Sequence, residues 1–541
     1  MRDILGVSAR PIANTDVLCF GPQDKSDSPD GVLHPARIKE GVVAGVEDYG
    51  NKMGIPTVNG ALVFEDGYTA NPLVFVGCIG ILPTGSHPTQ PRPGDKVVVL
   101  GGRTGRDGLR GATFSSMEMD HSTGDIAGTA VQIGHPIHEK QAQEVVCAAR
   151  DERLYHAITD CGAGGLSSSV GEMAEKLGAN VYLERIPLKY SGLQPWEIWL
   201  SEAQERMVMA VPESNLKRLL EICATHETDA SVIGEFRDDG ILQVTYESEL
   251  VGTFDVNFLH EGMPQLRLDA VWQQPSQEEL ELPAVSIEST MLSLLRDPNL
   301  CSRSSVIRRY DHEVQGGTAV KPLVGHSGEA PGDAAVLIPL AARQKGRTDR
   351  GAAVGCGVNP RYGAIDPYLM AWACVDEAVR NVVSVGADPD EISLLDNFCW
   401  GNPRLPDRMG GLLRCAEGCG DAALAFGAPY VSGKDSLNNE FTGADGQKHS
   451  IPGTILITAL GIVPDTKATT HSTIYESGVS LFLVGETKHE LGGSAFVHHI
   501  KRASSRVPTP SEHALDTARA IHKSLRSGLA SACHDCSDGG L

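Results

Sequence analysis

The chain has 541 residues, a formal net charge of −23, 41% apolar residues and 5% aromatic ones. That length holds several domains with full cores, the composition excludes a disordered or fibrous chain, and the acidic balance argues against nucleic acid as the main partner. The 13 cysteines suit a reducing compartment and no apolar run approaches the ~20 residues of a membrane helix, so the expected location is cytoplasmic and away from membranes.

Residues 1 to 84 read as strand and helix in alternation. Arg37 to Met53 has helical spacing of apolar residues, Gly54-Ile55-Pro56 breaks it, and Val58 to Phe64 and Leu73 to Leu82 are strand-like. The proline-rich run at 88 to 93 is a stiff linker. A second block, 94 to 265, opens with the β-run Lys96 to Leu100 and the glycine-rich turn Gly101 to Gly111. Helices are expected over Glu139 to His156, from near Ser168, and over Pro212 to His226, with strands at Glu205 to Val211 and Ile241 to Tyr246. Residues 266 to 300, with Gln273 to Pro283, read as a linker. The block 301 to 466 contains a long helix, Tyr368 to Val385, and a last α/β block begins near Gly478 and runs to 541.

The blocks repeat. Arg2-Asp3 through Arg10-Pro11 aligns with Arg380-Asn381 through Asp388-Pro389, Pro56 to Gly60 with Pro429 to Gly433, Gly80 to Pro83 with Gly461 to Pro464, and Asp160 to Leu166 with Asp535 to Leu541. Four anchors at nearly one spacing indicate a duplicated domain pair, because solenoid repeats have much shorter periods. The two copies should therefore share helix and strand order, with Pro11 over Pro389 and Gly60 over Gly433. The stretch from about 300 to 379 has no counterpart ahead of Met1, and the residues beyond Leu166 have none after Leu541. On this reading the chain is a window of a longer protein, Met1 an internal methionine and Leu541 an artificial end.

Several segments carry chemistry-bearing residues. Asp160, beside Gly162, Gly164 and Gly165 with three serines at a helix start, offers a hard oxygen ligand for Mg2+ and amides for an anion, or else a plain capped turn. Arg103, Arg106 and Arg110 interleaved with glycines suit a phosphate cradle, or a surface turn. Glu202 to Arg206 at a strand start point into a cleft or line a solvated edge, and Gln132 is similarly open. Gly433-Lys434-Asp435-Ser436 lacks the Walker spacing; with Asp396-Asn397 it faces one cleft or forms polar turns. Cys415, Cys419, Cys533 and Cys536 permit a four-thiolate zinc site, but Cys-x3-Cys on a helix is a weak ligand signal and the repeat maps Cys533 to Cys536 onto Ile158 to Cys161, which has one thiol.

Together, the Arg2-Asp3 motif, Gly101 to Ala112, Val131 to Gly134, Thr159 to Leu166, Ser201 to Met207, Tyr310-Asp311-His312-Glu313-Val314 and Ser432 to Ser436 resemble, in this order, the synthetase subunit of phosphoribosylformylglycinamidine synthase. The resemblance implies an internally duplicated α/β fold of α+β sheet domains: N-terminal-type domains at 1–84 and 301–466, C-terminal-type domains at 94–265 and 478–541, incomplete at both ends, the two N-terminal types associating pseudo-symmetrically. It implies an ATP- and Mg2+-dependent ligase of purine biosynthesis that phosphorylates the formamide oxygen of formylglycinamide ribonucleotide and lets ammonia displace phosphate. By resemblance Arg2, Gln132, Glu202, Ala203, Gln204 and Ser436 contact substrate, Asp396 and Gly433 contact ATP, and Asp3 and Asp160 hold Mg2+, their carboxylates sharing one ion. Position 434 is a metal ligand in the family; an ammonium cannot ligate, so Lys434 is expected on an ATP phosphate. Ala203 stands where small members carry Ser. The family's catalytic His is expected upstream of Met1, which would leave this window inactive by itself. Ammonia is expected from a glutaminase, either a separate subunit or a fused domain. Competing readings are another synthetase of the aminoimidazole ribonucleotide synthetase superfamily, which carries one domain pair per chain, and a non-catalytic nucleotide-binding scaffold.

Overall fold

The computed structural model describes residues 1–111, 117–123, 131–275, 282–344, 348–502, 504, 506–538 and 540. Ala112, most of the acidic part of the linker (276–281) and the final Gly539 and Leu541 of the last repeat anchor lie outside the described residues.

The first unit opens with a short helix, Arg2–Gly6, and continues through β1 (Arg10–Phe20), helix Pro35–Met53, β2 (Thr57–Phe64) and β3 (Leu73–Ile81). Its helix ends where the sequence suggests, at Gly54 with φ 67, where a side chain would be strained, and starts two residues ahead of Arg37, at Pro35, with His34 accepting the Ala36 N–H. The sheet order is β2-β1-β3, with β1 parallel to β2 and antiparallel to β3.

The second unit comprises β4 (Lys96–Gly101), β5 (Met119–Asp120), helix Pro136–Asp151, β6 (Ala157–Asp160), helix Leu166–Met173, β7 (Ala179–Tyr182), helix Pro195–Leu200, β8 (Arg206–Val211), helix Glu213–Thr225, and β9 (Ala230–Phe236), β10 (Ile241–Tyr246) and β11 (Glu249–Asp255). Seven of these strands form one sheet in the order β11-β10-β7-β9-β4-β8-β6. Alternate residues of β4 serve two cores: Val98 and Leu100 pack with helices Pro136–Asp151 and Glu213–Thr225, Val97 and Val99 with Leu166, Val170 and Ile198. Burial on both faces explains why this strand reads as an uninterrupted apolar run. The helix expected over Glu139 to His156 stops at Asp151, because the chain turns back through Arg153 at φ 56.

The third unit contains the short strands β12 (Thr318–Val320), β13 (Leu323–Val324), β14 (Ala330–Pro331) and β15 (Ala335–Leu337). It continues with β16 (Gly351–Val358), helix Pro367–Ser384, β17 (Ile392–Cys399), helix Pro406–Phe426, β18 (Tyr430–Ser436), β19 (Glu440–Thr442), β20 (Lys448–Ser450) and β21 (Thr454–Val463). Its main sheet is β12-β15-β16-β21-β17-β18, and a small sheet β20-β19-β5 joins it to the second unit. Helix–strand order here repeats that of the first unit, and β17 is parallel to β18 and antiparallel to β21 as β1 is to β2 and β3. Asp16 lies opposite Gly60 and Asp396 opposite Gly433, and an irregularity precedes each Asp, between Asn14 and Thr15 and between Leu394 and Leu395. Even an ion pair recurs: Arg2 with Asp160 at 2.8 Å and Arg380 with Asp535 at 3.0 Å.

One expected equivalence fails. Pro11 pairs with Gly80 inside β1, whereas Gly461, the counterpart of Gly80, pairs with Ile392, and Pro389 sits in the turn ahead of β17. The helix ends still agree, Ala9 N–H bonding Ile4 O and Ala387 N–H bonding Val382 O, so the second copy makes a longer turn before its strand.

The first and third units share apolar cores: Val17, Cys19 and Leu73 meet Cys399 and Leu456, and Ala13 and Val58 meet Leu337 and Val354. Of the stretch 266–300, residues 287–294 form a helix, and Val271 N–H bonds Pro406 O at 2.8 Å where Gly410 leaves room for the backbone. The described residues of 478–541 form helices Ala495–His499 and Ala514–Arg526 and no strand. In the second unit the strands flanking β4, namely β8 and β9, lie beyond Leu166, the residue to which Leu541 corresponds. No helix among the described residues is long and apolar enough to cross a membrane.

Candidate functional site

The short helix at Arg2 delivers its side chain to two distant segments. Arg2 Nε donates to Asp160 Oδ2 at 2.8 Å and Nη1 donates to Gln204 Oε1 at 2.6 Å. Glu202 accepts from Gln132 Nε2 at 2.9 Å and from the Gly164 N–H at 3.2 Å. Five of the residues singled out in the sequence thus form one hydrogen-bonded cluster on the C-terminal end of β6 and the segment leading into β8. The glycine turn is needed for this: a Cβ on Gly165, at φ 59, would stand 2.0 Å from Ser201 O. The three serines that come next donate to carbonyls of their own loop, Ser167 to Gly164, Ser168 to Ala163 and Gly165, Ser169 to Gly165, and so brace the turn.

The solvated-edge alternative for 202–206 does not hold. Glu202, Ala203 and Arg206 are buried, and Arg206 donates to Ala203 O, Thr104 Oγ1 and Ser201 O, which pins the strip from beneath. Burial lowers the pKa of this guanidinium. Glu139, on the buried face of helix Pro136–Asp151, was missed by sequence reasoning: it is fully enclosed, its Oε1 lacks a partner, and burial raises its pKa to about 7, with the Glu205 and Asp160 charges pushing the same way and Arg2 opposing. The signal available was only a carboxylate within the stripe of buried residues. Asp3 follows Arg2 on the same turn and is exposed.

The phosphate-cradle reading of the glycine-rich turn is corrected for two of its arginines. Arg103 pairs with Asp229 at 2.7 Å, and Arg106 binds Glu197 at 2.8 Å and Gly192 O at 2.8 Å while lying over the Tyr190 ring. These bonds fasten the turn to its own domain.

In the third unit, Asp396 on β17 and Gly433, Lys434 and Ser436 on β18 occupy neighbouring strands. Asp396 is half-buried and its pKa is raised, chiefly by burial. A Cβ on Gly433 would come within 2.1 Å of Asp396 Oδ1, so the carboxylate lies directly over the glycine. Gly433 and Lys434 are exposed along β18 and Ser436 is half-buried at its end. The structure does not assemble a four-thiolate site: Cys415 and Cys419 are buried, Cys536 is exposed, and among the described residues the one group of three or more His, Cys, Asp or Glu side chains close enough together to hold a metal is Asp333, His534 and Asp535.

Two family models match the chain: the N-terminal domain of AIR synthase related proteins over residues 1–82 and 331–463, and the C-terminal domain of the same proteins over 92–247. The phosphoribosylformylglycinamidine synthase subunit PurL of Methanopyrus kandleri is 37% identical over 556 residues, covering 100% of this chain and 72% of its own length. The chain belongs to the PurL family. The PurL of Methanothermobacter thermautotrophicus is 35% identical, again over 100% of the chain and 72% of the relative. Among solved structures, Thermotoga maritima PurL complexed with FGAR matches with a TM-score of 0.68 and 30% identity over 87% of this chain and 69% of that one, and the ATP complex of the same protein with 0.66, 28%, 87% and 68%. These PurL relatives decide against a single-pair synthetase of the wider superfamily.

Proposed function

We propose that the chain carries the synthetase reaction of its PurL relatives: ATP-dependent conversion of formylglycinamide ribonucleotide and ammonia into formylglycinamidine ribonucleotide, in purine biosynthesis. The observation that carries this is the convergence of Arg2, Asp160, Gln204, Glu202 and Gln132 in a chain of this family. The formamide oxygen takes the γ-phosphoryl group of ATP; ammonia then adds to the carbon, and phosphate leaves with that oxygen. Arg2, held by Asp160 and Gln204, and the amide side chains of Gln132 and Gln204 suit recognition of a polar, phosphate-bearing substrate. Ala203, fully buried with its N–H on Ser201 Oγ and its carbonyl on Arg206, contributes backbone shape. Asp396 and Gly433 suit ATP, Ser436 the substrate at the end of the same strand, and exposed Lys434 a phosphate oxygen.

The donor set fits Mg2+. Asp160 gives one carboxylate oxygen to Arg2 and leaves the other for a cation, and Asp3 is exposed on the first turn of the Arg2 helix. The ion would neutralise charge developing on the transferred phosphoryl group. In the second copy the counterpart of Asp3 is Asn381, buried with its amide donating to Cys356 O, so that copy has turned the position into core structure. This favours the scaffold reading for the second copy alone. A PurLQS assembly of Thermotoga maritima has been solved, and we place a glutaminase, as a separate subunit or a fused domain, as the ammonia source here. The free cysteines agree with a cytoplasmic location.

Two substitutions test the assignment in the full chain. Asp160→Asn keeps the shape but loses the charge that holds Arg2 and a cation, and should weaken binding of formylglycinamide ribonucleotide about tenfold or more. Binding at parental affinity, measured by equilibrium dialysis, would remove Asp160 from the site. Gly433→Ala should weaken ATP with little change in thermal midpoint, because its Cβ displaces only the end of the Asp396 side chain. Unchanged ATP affinity would show that nucleotide does not lie over this pair.

A further inference from the structure

Tyr49, near the end of helix Pro35–Met53, donates from Oη to Glu205 Oε1 at 2.8 Å, and the same oxygen accepts the His135 N–H at 2.8 Å. One carboxylate atom therefore ties together three elements: a helix of the first unit, the segment carrying Gln132, and the strip Glu202–Gln204. Glu205 is 4% exposed and sits at φ 61, a conformation that a residue with a Cβ adopts only when its surroundings impose it. The surroundings are glycines. A Cβ on Gly101 would lie 1.9 Å from Glu205 O, one on Gly102 2.8 Å from Gln204 O, and one on Gly134 2.8 Å from Tyr49 Cε2. Backbone therefore closes on Glu205 from the β4 side and on the Tyr49 ring from the His135 side, leaving the strip no other course.

The helix end bearing Tyr49 is itself fixed. Arg309 Nε binds Glu47 at 2.6 Å, Asn51 donates to Arg309 O at 3.0 Å, and the Asp311 N–H donates to Asn51 Oδ1 at 2.9 Å. Residues Arg309 and Asp311, at the start of the Tyr310 to Val314 motif, thus hold this helix end.

We propose that Glu205 and Tyr49 are positioning residues for the substrate: through Glu205 Oε1 they set the separation between Gln132 and the strip Glu202–Gln204. The proposal rests on the PurL reading of the site. Gln132 reaches Glu202 from three residues before His135, so a shift of His135 is transmitted to the amide that meets the substrate. Loss of one hydrogen bond to a buried carboxylate loosens this spacing without removing any substrate-contacting group.

The test uses the full chain and direct binding. Tyr49→Phe keeps the ring and deletes the donor; affinity for formylglycinamide ribonucleotide should fall about five- to tenfold, with ATP affinity changed less than about twofold and the thermal midpoint nearly unmoved. Glu205→Gln retains an acceptor at the same place and should stay near the parent, whereas Glu205→Ala should fall at least as far as Tyr49→Phe. Equal substrate affinity in parent and Tyr49→Phe overturns the proposal alone, as does a loss shared equally by ATP. Absence of substrate binding by the unaltered chain overturns the functional reading and this proposal with it.

Discussion

Asp16→Asn should stabilise the protein at pH 8 by about 2 kcal/mol and flatten part of its stability profile between about pH 4 and 7. Asp16 is 4% exposed, neither carboxylate oxygen has a partner, and burial alone raises its pKa from 3.8 to about 7. Because the folded state holds this proton more tightly than the unfolded state, stability is fully present below the unfolded pKa and is lost as pH rises to the folded one. A shift of that size corresponds to an upper bound of roughly 4 kcal/mol, and an unpartnered amide in the same place offsets about half. Urea unfolding of parent and variant at pH 5 and pH 8 measures the difference. Glu139, Asp535 and Glu377 also have raised values, to about 7, 6 and 8, so the parent's slope is shared and only the difference between the two proteins reports Asp16. A variant no more stable than the parent at pH 8 would mean that Asp16 has a donor which the structure does not reveal.

The duplication accounts for such an unfavourable group. Asp16 and Asp396 hold the same register position, each opposite a glycine. Strand β18 leaves Gly433 and Lys434 exposed, so Asp396 is only half enclosed. In the first unit, Asn299 bonds both Phe64 N–H and Phe64 O, Arg303 reaches Leu62 O, and Tyr310 is buried among Leu18, Phe20 and Val43. The pKa of the Tyr310 phenol is raised by burial first and by the Asp16 charge next. One copy of the pair is open and the other is shut by the segment 299–310.

Local rules account for the parts of the fold that were legible in the sequence. Helices Pro35–Met53 and Pro406–Phe426 are bounded by Pro at one end and a left-handed Gly at the other; the apolar spacing and Gly54 located the first from Arg37 to its end, whereas its start at Pro35 and the limits of the second were not read. Nor was the end of helix Pro136–Asp151, because Arg153 turns the chain without glycine or proline. Placing Pro11 over Pro389 failed for a similar reason: identical residues aligned the copies, but hydrogen-bond register sets the strands. At the site, Arg2, Gln132, Asp160 and Glu202 were found by motif, yet their meeting depends on tertiary closure over hundreds of residues. Glu139 and Tyr49 carry no motif, Glu205 stands inside one with no role assigned to it, and five consecutive polar or small residues at 202–206 resemble an exposed edge until Arg206 is seen to be buried beneath them.

Arg206→Leu should remove binding of formylglycinamide ribonucleotide by more than about tenfold and lower stability by about 3 kcal/mol. Two effects oppose one another. A fully buried guanidinium is unfavourable, and Leu relieves that; but Ser201 O, Ala203 O and Thr104 Oγ1 then lose their donor in a site too closed for easy solvation. Each unsatisfied acceptor costs about 1 to 3 kcal/mol, so three outweigh the relief unless the strip moves to find new donors. If it moves, Glu202 and Gln204 leave Gln132 and Arg2, and binding is lost by that route instead. Arg206→Lys should fall between, because an ammonium supplies donors at one point and cannot span three acceptors that the guanidinium reaches from different nitrogens. Arg2→Ala serves as the contrast, since its partly exposed side chain should cost binding with much less stability. Thermal midpoints together with substrate dialysis separate the two, and an Arg206→Leu protein of parental stability and affinity would show that the strip keeps its course without the buried charge.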